Sequence, residues 1–130
     1  MSTVLLDSHV VHWWSAEPER LSRSATAAID GASEIAVASI SWFELAWLAR
    51  NERIRVVVPV RSWLEQISAH VRTIGTTTAI ADTAVSMPSS FPGDPADRLI
   101  YATAVEHGWR LVTKDERMLR HRHPTPVALW

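Results

Sequence analysis

Cysteine is absent from the 130 residues. That excludes disulfide bridges and thiolate metal sites, and it fits a chain expected in the cytoplasm. No apolar run reaches the roughly eighteen residues that a membrane-spanning helix needs, so no membrane association is expected. The opening stretch MSTVLLDSHVVHWW lacks a basic leader segment and meets Asp7, which argues against a secretory signal. An excess of charge of one sign is missing too. The formal net charge is −1, so the molecule as a whole does not attract a polyanion. Lysine is almost absent: Lys114 is the only one among thirteen Lys and Arg residues. Arginine forks match phosphate better than a lysine point charge does, so local arginine patches can still meet a polyanion.

What is present is ordinary for a folded protein. Apolar residues make up 47% and charged residues 21%, and the length suits one domain, 1–130, with a real core. Short apolar strands alternate with helical segments. TVLL (3–6), EIAVAS (34–39), WRLVT (109–113) and TPVAL (125–129) read as strands, and VRTIG is a further candidate. SHVVHWW, 22–32, 41–52, 61–70, TTAIADTAVSM, 95–107 and the turn ERMLR read as helical. In the helix over 41–52, Phe43, Ala46, Trp47 and Arg50 step by three and four. IRVVVPV is ambiguous, and Pro59 ends any strand there. The alternation predicts an α/β protein whose mostly parallel sheet is covered on both faces. Ligands of such sheets bind beyond the carboxyl ends of the strands.

Four acids stand where that rule looks. Asp7 follows the first strand, Glu44 lies one turn into the helix after the second, Asp97 one turn into the 95–107 helix, and Asp115 just after WRLVT. Each alone reads equally well as helix capping. Asp94 is a natural N-cap ahead of Pro95, and SWFE has the form of a capping box with Ser41 as cap and Glu44 reaching back. Together they point elsewhere. Helices starting on one sheet edge bring the four carboxylates together, and clustered like charges raise one another's pKa. Ser, Thr or Asn caps just as well without that repulsion. A hard cation relieves it. Oxygen-only donors point to Mg²⁺ or Mn²⁺, and such an ion activates water and stabilises the charge of phosphodiester cleavage. Spacing alone does not choose between a nuclease and a phosphatase.

The stretches VLLDSHVVHWW, ASISWFELAWL, DPADRLIYATA and LVTKDERM, in this order, resemble a PIN-domain protein, and within that family the VapC toxins of bacterial toxin–antitoxin pairs. The resemblance covers essentially the whole chain. It implies a three-layer α/β/α sandwich around a short, mostly parallel sheet. It implies an endoribonuclease that uses Mg²⁺ or Mn²⁺ and cuts RNA such as tRNA or rRNA. The implied ligand set is Asp7, Glu44, Asp97 and Asp115, with Asp94 as the helix cap. Water attacks the phosphorus, leaving a 5′-phosphate and a 3′-hydroxyl. Thr113 and Ser8 are secondary candidates for orienting a ligand, and Arg98 for pairing with a carboxylate or meeting phosphate. A homodimer and a cognate antitoxin laid over the active groove are the implied partners. Residues 53–88 match no motif of the family, so the RNA target is not inherited.

Two other readings compete. A catalytically silent PIN-like module that binds RNA or protein has no need of a complete acid set. A small metal-dependent phosphatase often carries an Asp-x-Asp pair after its first strand, where DSH stands here. Elsewhere, Arg110, Lys114, Arg117, Arg120 and Arg122, with His121 and His123, form a basic run that reads as a phosphate track or as a solvated face. Arg50, Arg53, Arg55 and Arg61 form a second. His9 and His12 flank the first acid, where a hydrogen-bonding role outweighs a ligand role. Trp13 and Trp14 cannot share one helix face, so one is expected in the core and the other at an interface.

Overall fold

A computed structural model describes residues 2–121, 123, 124 and 126–130. Arg122 of the basic run and Thr125 of the last expected strand lie outside the described residues. Among the described residues, five strands form one sheet: β1 (Thr3–Leu6), β2 (Glu34–Ala38), β3 (Arg72–Ile74), β4 (Arg110–Val112) and β5 (Ala128–Leu129). Their order is β3-β2-β1-β4-β5, and every pairing is parallel. The chain runs from β1 outward to β3, then crosses back to lay β4 on the other side of β1. The strand order therefore switches between β1 and β4.

Among the described residues, seven helices cover the sheet: α1 (Ser8–Ala16), α2 (Arg23–Asp30), α3 (Ser39–Arg50), α4 (Val60–Ser68), α5 (Thr78–Val85), α6 (Pro95–His107) and α7 (Glu116–Arg120). A 3₁₀ turn spans Pro18–Arg20. The period of two in β1 sorts the core into two layers. Leu5 joins Ile80, Ala84, Ile100 and Tyr101 under α5 and α6. Val4 and Leu6 join Val10, Val11, Ala25, Leu45 and Trp63 under α1 to α4. This is the expected α/β/α sandwich. Among the described residues no helix is long and apolar enough to cross a membrane.

Local signals set most helix ends. Ser22 caps α2 by accepting from the Ala25 N–H, and Thr77 caps α5 by accepting from the Ile80 N–H. The α6 helix opens with Asp94 accepting from the Ala96 N–H at 2.8 Å, has Pro95 in its first turn, and stops at Gly108 with φ +68°. That left-handed conformation favours glycine.

One expectation needs correction. The capping box in SWFE does not form. Ala38 ends β2 and opens α3 with no intervening loop, so the helix starts at Ser39 and Ser41 is already inside it, fully buried. The stepped face of α3 turns outward. Phe43 is 66% exposed and Trp47 48%, while Ser41 and Leu45 are the residues that α3 buries. The ambiguous IRVVVPV forms no strand.

Candidate active site

The site is built at the carboxyl edge of the sheet, over the switch between β1 and β4. The Asp7 N–H donates to the Val112 carbonyl at 3.0 Å, which fixes the residue after β1 against the end of β4. Asp7 Oδ1 accepts from the Ser8 N–H at 2.8 Å, and Oδ2 accepts from the Thr113 hydroxyl at 2.6 Å. Thr113 Oγ1 in turn accepts from the Asp115 N–H at 3.0 Å. Asp115 then caps α7 by accepting from the Arg117 and Met118 N–H groups. Ser8 Oγ donates to Glu44 Oε1 at 2.6 Å and lies 3.0 Å from Ser41 Oγ. The first acid and both secondary hydroxyl candidates thus belong to one network that orients carboxylates from three elements.

The α6 helix runs back toward β4, so its N-terminus meets the same edge. Glu44, Asp94 and Asp97 each place a carboxylate oxygen within 4.8 Å of the others'. Asp94 both caps α6 and takes part in this group, so capping and clustering do not exclude each other. Asp7 and Asp115 complete the surroundings of Asp97, since both act on its charge.

The electrostatics follow from this crowding. Removal from water and the charges of Asp7, Asp94, Glu44 and Asp115 push the Asp97 carboxyl up to about 7. Burial also raises Asp7, against the opposing hydrogen bonds from Thr113 and Ser8. Glu44 is raised by burial, and further by Asp7 and Asp94, while the Ser8 hydrogen bond opposes the shift. The nearest ion pair is thin. Exposed Arg117 holds Nη2 3.9 Å from Asp97 Oδ2 and 3.6 Å from Asp115 Oδ2. Among the described residues this one solvated guanidinium is the cluster's ion-pair partner, and it leaves most of the negative charge uncompensated. An all-oxygen donor set with surplus charge fits a hard divalent cation.

Arg98 departs from the expectation: among the described residues it pairs with no carboxylate, and it does not line the groove. Its guanidinium donates to the carbonyls of Pro92, Ala84, Met87 and Pro88, at 2.9 to 3.2 Å. It ties the loop before α6 to the end of α5. His12 is buried and its Nε2 lies 3.0 Å from Glu17, away from the acids. His9 is exposed on the groove wall, with its ring 5.9 Å from Trp13. Trp13 and Trp14 are both half-buried rather than divided between core and surface.

The acids lie in a groove of about 1010 Å³. Its walls include Phe43, Trp47 and Leu48 of α3, Trp13 of α1, and Lys114. Phe43 and Trp47 carry a signal that sequence reasoning left unused, because they flank Glu44 on the same helical face. Lys114 stood in the basic run, and only the fold separates it from its neighbours there.

The family model described as PIN domain matches residues 4–124. The chain belongs to the PIN domain family. It is 69% identical over all 130 residues of both chains to Ribonuclease VapC22 of Mycobacterium tuberculosis (strain ATCC 25618 / H37Rv). Its fold is similar to VapBC2 from Rickettsia felis bound to a promoter DNA fragment, with TM-score 0.71, 15% identity, and 98% of this chain and 97% of that one covered. It is likewise similar to DNA-bound VapBC from Salmonella typhimurium, with TM-score 0.70, 19% identity, and coverage of 99% and 98%.

Proposed function

We propose that this chain, one PIN domain over 1–130, is a divalent-metal-dependent endoribonuclease and the toxin of a type II toxin–antitoxin pair. The observation that carries this is the convergence of carboxylates from four segments on one groove at the switch in strand order, with Glu44, Asp94 and Asp97 in mutual reach. The full-length identity to a protein named as a ribonuclease supports it. Asp7, Glu44, Asp97 and Asp115 form the ligand set, and Asp94 joins it from the α6 cap. Mg²⁺ or Mn²⁺ bound there supplies a Lewis acid for the phosphoryl oxygen and lowers the pKa of water.

The chain's own residues prepare that chemistry. Ser8 and Thr113 hold Glu44 and Asp7 in fixed orientations. Arg117 offsets charge at the rim. Hydrolysis forms a bond from water oxygen to phosphorus and breaks the bond to the 3′-oxygen, which leaves as a hydroxyl beside a 5′-phosphate. tRNA or rRNA is the proposed substrate. The proposed partners are a cognate antitoxin in the cytoplasm and a second copy of the chain.

The test is cleavage of total tRNA and rRNA by partner-free protein with Mg²⁺, Mn²⁺ or EDTA, beside Asp97→Asn. Cleavage is expected only with metal and is expected to vanish in the variant. Cutting that persists in EDTA or in Asp97→Asn would overturn the assignment.

A further inference from the structure

Among the described residues, Lys114 is the lysine or arginine that lines the groove. It is exposed, it lines the groove beside Asp115 and Glu116, and among the described residues it pairs with no carboxylate. A flexible lysine in an acidic groove is expected to fold onto the nearest acid. Two aromatic faces hold this one away. Its Nζ lies 5.8 Å from the Trp13 ring centre and 6.0 Å from that of Trp130. The two rings brace each other at 5.8 Å. Arg20 also sits over Trp13, at 5.3 Å, but its guanidinium is engaged by Glu17 at 3.7 Å. Lys114 is therefore the cation that the aromatic wall presents to the groove.

An anionic strand that must approach a cluster of carboxylates is repelled by it. A fixed cation on the adjoining wall offsets that repulsion at one backbone position. Aromatic faces restrict the ammonium without neutralising it, as a carboxylate partner would. We propose that Lys114, positioned by Trp13 and Trp130, anchors the RNA phosphate flanking the one that is cut. This rests on the ribonuclease reading above.

The test measures binding of a labelled single-stranded oligoribonucleotide to full-length Asp97→Asn protein across a range of NaCl concentrations. Adding Lys114→Gln should weaken binding several-fold at low salt. It should also flatten the slope of log K against log salt by about 0.7, the value for one lost phosphate contact on a single strand. Lys114→Arg should keep the slope. Trp13→Leu should keep the slope, because the charge remains, yet weaken binding. In the active enzyme, the loss in Lys114→Gln should fall on KM far more than on kcat. An unchanged slope and KM in Lys114→Gln, with a parent that cleaves RNA, overturns the anchor alone. A parent that neither cleaves nor binds RNA overturns the ribonuclease reading and the anchor with it.

Discussion

Thr113 shows how little of a residue's role its own position reveals. Just after β4 it reads by position as a strand former, as threonine usually is, and only the family resemblance marks it as a candidate for orienting a ligand. In the fold its buried hydroxyl joins two acids, donating to Asp7 Oδ2 across 106 positions of sequence and accepting from the Asp115 N–H. No local pattern encodes that contact, whereas the acids themselves were legible because each stands beside a strand end or a helix start. Thr113→Val keeps the shape and removes both bonds. The expected cost is about 1–3 kcal/mol of stability, read by urea unfolding. Loss of a group that orients a ligand typically lowers metal affinity about 10–100-fold, so Mn²⁺ titration calorimetry should show a drop in that range. Thr113→Ser should recover most of both. A Thr113→Val protein that binds Mn²⁺ as tightly as the parent would remove the orienting role.

At the scale of elements, α6 was readable end to end and α3 was not. Asp94, Pro95 and Gly108 are punctuation that acts within a few residues, and α6 begins and ends where they stand. The start of α3 depends on β2 passing straight into a helix, which leaves no room for the capping box that SWFE suggests. The outward turn of Phe43 and Trp47 depends on what the fold sets beside them. Arg98 is a further case. Its place after Asp97 suggested the groove, but it holds the approach to α6 by four carbonyls. Arg98→Met leaves those carbonyls without a charged donor and should destabilise the fold by about 2 kcal/mol or more. Arg98→Lys should restore little, because a point charge cannot span the four acceptors as a planar fork does. Urea midpoints measure the first effect. Faster proteolysis between residues 86 and 93 measures the loosened approach, and near-parental protease resistance in Arg98→Met would contradict it.

For the whole molecule, the parallel sheet and its two covered faces were implied by alternating strands and helices. The convergence of the acids followed from that architecture, and their mutual distances did not. The same convergence sets a stability cost that a cation relieves. The Asp97 carboxyl titrates near 3.8 when unfolded and is pushed up to about 7 in the fold. Between those values the folded chain holds a proton that the unfolded chain has released. Unfolding then releases protons, so stability falls as pH rises from about 4 to about 7. The raised carboxyls of Asp7 and Glu44 act in the same direction. In EDTA the melting temperature should therefore decline across this window, and Asp97→Asn should decline less and melt higher than the parent at pH 8. A divalent cation displaces the proton, so Mn²⁺ should raise the melting temperature more at pH 8 than at pH 5. Thermal melts of both proteins at the two pH values, with and without Mn²⁺, give all the comparisons. If Asp97→Asn gains no stability over the parent at pH 8 in EDTA, the carboxylates are not strained by one another. The case for a cation holding them together then loses its physical basis.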